Sequence, residues 1–142
     1  MLANGMGLPI TIADSVPTSH HDLLEAAGTA VLVTIDSKGR PQATAVWYLL
    51  DEDGVLKTSV EAGRQKYKNA AANPAVDFFF IDPTNPFHTL EIRAAAVLTP
   101  DTDYALLGRL VARYGVPIEN ILQSGTDRHV ITFHPWRVIA NG

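Results

Sequence analysis

Apolar positions along this chain recur mostly at every second residue, in short runs separated by turn-forming clusters. The run Ala30-Val31-Leu32-Val33-Thr34-Ile35 is apolar and rich in β-branched residues, so it predicts a strand. Asp36-Ser37-Lys38-Gly39 reads as a turn, Gln42 to Leu50 as a second strand, Asp51-Glu52-Asp53-Gly54 as a second turn and Val55 to Val60 as a third strand. Two hairpins in succession predict an antiparallel meander. Ala75 to Ile81 predicts a strand that carries Phe78-Phe79-Phe80. Successive strand side chains point to opposite faces, so these three rings cannot share one side of a sheet. Either both faces are covered or one is a subunit interface. A long strand follows from Thr89 to Thr99, with Leu90, Ile92, Ala94, Ala96 and Leu98 on one face and Glu91 and Arg93 on the other. Val130 to Phe133 and Val138 to Ala140 predict the last strands, divided by Pro135.

Helical spacing is confined to three places. Thr18 or Ser19 caps a short helix that runs through Ala27, and Gln65 to Asn73 forms a second helix, stopped by Pro74. A third is capped near Asp101, carries Tyr104, Leu107, Val111 and Tyr114, and closes at Gly115 and Pro117. About six antiparallel strands with peripheral helices indicate a mainly β fold, a small antiparallel barrel rather than a doubly wound parallel sheet.

At 142 residues and 46% hydrophobic content, the chain fits one compact domain. Residues 1–17 read as an N-terminal extension and 18–142 as that domain. With no cysteine, disulfides, thiolate metal sites and a cysteine nucleophile are excluded, which fits a reducing cytoplasm. Met1 to Ile12 has no basic stretch and is broken by Gly5, Gly7 and Pro9, so no secretory signal is expected. No apolar run approaches the ~20 residues of a membrane span. Fifteen acidic against eleven basic residues give a net charge of -4, which argues against a nucleic-acid partner. A local positive pocket for a small anion is still compatible with that balance.

Such a pocket is suggested where the third strand gives way to a helix, in Ser59-Val60-Glu61-Ala62-Gly63-Arg64-Gln65-Lys66-Tyr67-Lys68-Asn69. Helix N-termini already present about half a positive charge, so Arg64, Lys66 and Lys68 there each cost a few tenths of a kcal/mol unless an anion sits among them. A bound phosphate would resolve the conflict. The alternative is a solvated basic helix face, and Lys68 fits that reading as readily. On a regular helix Lys66 lies about 200° around from Arg64, so both reach one phosphate only if Arg64 belongs to the loop. Gly63 permits that. Other chemistry finds no support. His20, His21, His88, His129 and His134 lack metal-ligand spacing, so no metal site is expected. Gly-x-Ser-x-Gly, GxGxxG and GxxxxGK[ST] do not occur.

Taken in order, several local patterns resemble the split β-barrel flavin- and deazaflavin-binding family related to pyridoxamine 5'-phosphate oxidase, in particular its short deazaflavin oxidoreductases. They are Gly39-Arg40-Pro41-Gln42, Val46-Trp47-Tyr48, Arg64-Gln65-Lys66 with Asn69, Asn73-Pro74, and Leu90-Glu91-Ile92-Arg93. The resemblance spans about Leu23 to Ile139 and implies a split antiparallel β-barrel, FMN-binding-like and homodimeric, with cofactor clefts between subunits. It implies that Ala45, Val46 and Trp47 run beside the cofactor ring, and that Thr58, Ser59 and Val60 approach the ribityl chain. Arg64, Lys66 and Asn69 then hold the phosphate. Phe87, His88 and the face bearing Arg93 match positions that reach the partner subunit's site. Val46-Trp47-Tyr48 reads equally as core and interface, and Arg93 with Glu91 equally as a structural ion pair.

The implied activity is hydride transfer to or from a small unsaturated organic substrate, with the substrate pocket between subunits and lined by Asp82 to His88 and the C-terminal segment. No catalytic acid or base is assigned, although Tyr48 or His88 could lie near the ring in a dimer. The short chain with its Arg-x-Lys motif resembles the deazaflavin branch, so coenzyme F-420 is the expected cofactor, with FMN the alternative. Alternatives in function are an FMN-dependent oxidase or reductase and a non-catalytic flavin-binding or storage protein. The chain ends soon after Trp136-Arg137-Val138, so pyridoxine metabolism is not expected. Ala94-Ala95-Ala96 stands where relatives commonly have a glycine after the arginine.

Overall fold

Phe78 and Phe80 turn the same way from their strand and are sealed from solvent, while Phe79 between them faces outward and is half-buried, as period-2 alternation requires. Phe78 stacks on Phe133 with ring centroids 4.5 Å apart, and Phe80 meets Phe78 edge-on at 5.0 Å. Leu32, Leu56, Leu90, Ile92 and Ile131 complete the centre of this core. Each such side chain contributes about 1.5–3 kcal/mol of burial. The computed structural model describes residues 10–122 and 126–142.

Seven strands surround the core: β1 Ala30–Ile35, β2 Pro41–Val46, β3 Leu49–Leu50, β4 Leu56–Glu61, β5 Ala75–Asp82, β6 Asn85–Pro100 and β7 Arg128–Asn141. They form one curled antiparallel sheet in the order β2-β1-β5-β6-β7-β4-β3. The expected meander is therefore not what forms. The predicted strand from Gln42 to Leu50 is cut in two, so that Val46 pairs with Ala30 at one edge and Leu49 with Lys57 at the other. On its other side β4 pairs with β7, from Leu56↔Phe133 to Glu61↔Arg128, and not with β2. Trp47 and Tyr48 make the break. Their polar groups are taken by side chains and loops: Thr58 Oγ1 donates to the Trp47 carbonyl at 2.5 Å, and Tyr48 Oη donates to the Leu23 carbonyl at 2.6 Å. Two edge strands consecutive in sequence are thus joined through a buried hinge, which draws the edges of the sheet together.

Pro135 does not divide the last strand. β7 runs through it, and the ladder with β6 passes from Arg93↔Arg137 to Ala94↔Pro135, leaving Trp136 as the extra residue of a bulge. A bulge is where a sheet tolerates a proline, and the Pro135 carbonyl accepts from Ile10 N at 2.7 Å. The short helix α1, Ile12–Ser15, was not expected; Thr11 caps it, and its Ile12 joins Val16 in the core. The helix predicted from Thr18 to Ala27 is a 3-10 turn, Thr18–His20, followed by α2, His21–Glu25.

Helix α3, Gln65–Ala72, starts one turn after β4 and buries Asn69 and Ala70. Helix α4, Ala105–Arg113, buries Leu106, Leu107, Leu110 and Val111. Its capping carboxylate is Asp101, which accepts from Leu106 N at 2.9 Å and Leu107 N at 3.0 Å across a left-handed pair, Asp103 and Tyr104. Arg113 at its far end donates to the carbonyls of Leu24, Glu25 and Ala26, tying α4 to the end of α2. Among the described residues, no helix is long and apolar enough to cross a membrane.

Candidate functional site

The hinge between β2 and β3 stands beside β4, and α4 lies across them without filling the space beneath. The result is a cavity of about 400 Å³. Ala45, Val46 and Trp47 form one wall, and Thr58 and Ser59 the next. Lys66 reaches in from α3 and Arg128 from the start of β7, while Leu107, Leu110 and Val111 of α4 close it with Ile121 and Thr29. Trp47 is held flat against Tyr114, with ring centroids 4.3 Å apart and planes 7° from parallel. That stack is itself braced, since Tyr114 Oη donates to the Gly28 carbonyl at 2.6 Å.

Donors dominate the polar part of the lining. Among the described residues, no carboxylate lines the cavity. Thr58 Oγ1 is spent on Trp47, but Ser59 Oγ and Arg128 Nε are buried with no hydrogen-bond partner among the described residues. Lys66 is half-buried, and its ammonium is pushed below its ordinary value by burial first, and then by Arg64 and Arg128. Cations that repel one another in a partly dry cavity are stabilised by an anion among them.

Six of the residues singled out from sequence border this cavity: Ala45, Val46, Trp47, Thr58, Ser59 and Lys66. Val60, on β4, is buried in the core and is not in the lining. Arg64 is exposed outside the lining, in the loop at the N-terminal end of α3 with an extended backbone, φ -79° and ψ 150°; Lys68 is exposed as well. Asn69 is occupied elsewhere, for its Nδ2 donates to Thr34 Oγ1 at 3.1 Å and Gln42 Oε1 at 3.0 Å, and its Oδ1 accepts from Gln65 Nε2 at 2.7 Å. This amide fastens α3 to β1 and β2.

Phe87 and His88 lie at the start of β6, away from the cavity. Phe87 is 80% exposed. His88 is buried, with Nε2 3.0 Å from Asp22 Oδ1 and Nδ1 3.2 Å from the Gly142 carbonyl, and these acceptors, the Asp22 carboxylate foremost, raise its pKa. Asp82 joins them, so three ligand-type atoms lie within 4.8 Å of one another, a grouping the sequence spacing did not reveal. The His88–Asp22 bond and the two bonds from Thr84 to Asp82 account for it. Tyr48 is buried with its hydroxyl donated to Leu23, and burial pushes its pKa up to about 12. Arg93 Nε pairs with Glu91 Oε2 at 3.2 Å within the chain.

Sequence reasoning missed Thr29, Ile121, the α4 residues and Arg128. The apolar stripe of α4 was legible, but nothing local distinguishes a stripe that walls a cavity from one that packs solidly. Arg128 is brought to Lys66 only by the pairing of β4 with β7.

The family model for pyridoxamine 5'-phosphate oxidase matches residues 16–141, nearly the whole chain. The chain belongs to the pyridoxamine 5'-phosphate oxidase family. It is similar to an F420 reductase of solved structure, at 35% identity and TM-score 0.76, covering 87% of this chain and 98% of that one. Two more distant structures have the same fold. One is the conserved hypothetical protein Rv2991 from Mycobacterium tuberculosis, at 20% identity and TM-score 0.72, over 93% of this chain and 89% of that one. The other is a putative pyridoxamine 5'-phosphate oxidase from Listeria innocua, at 21% identity and TM-score 0.65, over 84% and 93%. No curated protein matches the sequence significantly. The family's curled β-sheet is the fold described above.

Proposed function

We propose that this protein is an oxidoreductase that binds the deazaflavin coenzyme F-420 in the cavity between β2, β4 and α4. The observation that carries this reading is the set of unspent donors there, Lys66, Arg128 and Ser59, with no carboxylate among the described residues to neutralise them. An anionic cofactor tail fits those groups, with Arg64 adding its charge from the rim. The ring then runs along Ala45 to Trp47, where strand backbone groups can bond its polar edge and Trp47, held by Tyr114, offers a flat apolar wall. Leu107, Leu110 and Val111 exclude water. When bound, the deazaflavin supplies a two-electron hydride carrier, and the protein orients it and shields the transfer. Among the described residues no carboxylate lines the cavity, and the roles assigned to its residues are binding and orientation.

A homodimer is part of the reading. Phe87 at the β5–β6 hairpin is largely exposed, and Ile81 and Val97 are also exposed, an apolar display that a second copy would cover. The likeness to an F420 reductase favours F-420, and the family match favours FMN as the second reading. Titration of the apo-protein with both cofactors separates the two. Saturable quenching of F-420 fluorescence without FMN uptake, together with oxidation of reduced F-420 by an enone, quinone or nitroaromatic, is expected. Uptake of FMN alone overturns the first reading, and binding with no turnover of any acceptor leaves a carrier rather than an enzyme.

A further inference from the structure

Arg128 is held in place from both sides by its backbone. Its carbonyl accepts from Asp101 N at 2.9 Å, and the carbonyl of Asp127 before it accepts from Ala62 N at 2.8 Å. The same ladder sets Arg128 opposite Glu61 on β4, three residues before Arg64. No ion pair forms between Arg128 and a carboxylate among the described residues, and its Nε is buried without a partner. Lys66 lines the same cavity and feels the Arg128 charge as repulsion. Ser59 Oγ, one residue from Thr58 on the same wall, is likewise buried and unpaired.

We propose that Arg128 is the specificity-determining residue for the ligand's charged tail: its guanidinium clamps phosphate oxygens opposite Lys66 and makes the cavity prefer a phosphorylated cofactor over the same ring without a tail. This rests on the reading of the cavity as a cofactor site. A planar guanidinium fixed at its root presents parallel N–H groups that match two oxygens of a phosphate, whereas a lysine is a mobile point charge. Loss of Arg128 therefore reduces discrimination by tail and leaves recognition of the ring by β2 and Trp47 in place.

The test is equilibrium titration of the full chain with FMN and riboflavin, and with F-420 and its phosphate-free chromophore. Arg128→Gln is expected to weaken both tailed ligands by about tenfold or more, to leave the bare rings within about twofold, and to be partly rescued by Arg128→Lys. Equal losses for tailed and bare rings, or no loss, overturn the proposal. Thermal protection by inorganic pyrophosphate supplies a second arm. If no flavin or deazaflavin binds the parent protein, but pyrophosphate protects it and not Arg128→Gln, the cofactor reading fails and the assignment of Arg128 stands. Pyrophosphate protection that is equal in the two proteins overturns the assignment.

Discussion

Asp77 shows how one residue's surroundings set its protonation. It lies on the outer face of β5, beside Glu91 and opposite Arg93 on β6, with Arg137 near Glu91. Arg93 is committed to Glu91, and Asp77 Oδ1 is buried without a partner among the described residues. Burial, followed by the Glu91 carboxylate, pushes the Asp77 carboxyl from its usual 3.8 up to about 7. A raised folded-state value means that the neutral form is favoured, so its contribution to stability is full below about pH 4 and is lost as pH rises through about 7. Asp77→Asn should thus raise the thermal midpoint at pH 8 and change it little at pH 4, as read by calorimetry across that range. A second residue-level contrast separates Lys66 from Arg64. Lys66 lines the cavity and Arg64 is exposed at its rim, so Lys66→Ala should weaken cofactor binding by about tenfold and Arg64→Ala by less, with thermal midpoints nearly unchanged. Titration checks both. The charge conflict at these residues was legible in the chain. Asn69 was not, because its three hydrogen-bond partners lie on three separate elements.

At the scale of elements, local pattern located β1, β4, β5 and α3 to within about two residues, since alternation and stop signals are properties of neighbours in sequence. It failed where a long-range partner decides the outcome. The residues from Gln42 to Leu50 alternate well enough for one strand, yet Tyr48 leaves the ladder and buries its ring edge-on against Phe78 and Phe80. Pro135 reads as a break, yet a bulge against β6 accommodates it. Helix α4 depends on a carboxylate outside its own first turn. Asp101→Ala leaves Leu106 N and Leu107 N without that acceptor and should cost about 1–2 kcal/mol in urea unfolding. Because α4 roofs the cavity, the same variant should weaken ring binding as well.

For the whole molecule, the exposed Phe87 sets the test of assembly. Phe87→Glu should shift sedimentation toward a monomer and weaken cofactor binding, although Phe87 is not in the lining of the candidate cavity of its own chain. A variant that sediments and binds as the parent does would show that no second copy uses this hairpin. By itself, the sequence determined the mainly β class, the core faces of most strands and the cation cluster after the third strand, because periodicity and charge are carried by residues close together. Tertiary structure alone decided which strand edges meet, which cations share a cavity and which polar side chains are already spent. Those outcomes depend on pairings between segments far apart in the chain: β4 with β7 brings Arg128 to Lys66, and the turn at Trp47–Tyr48 opens the space between them.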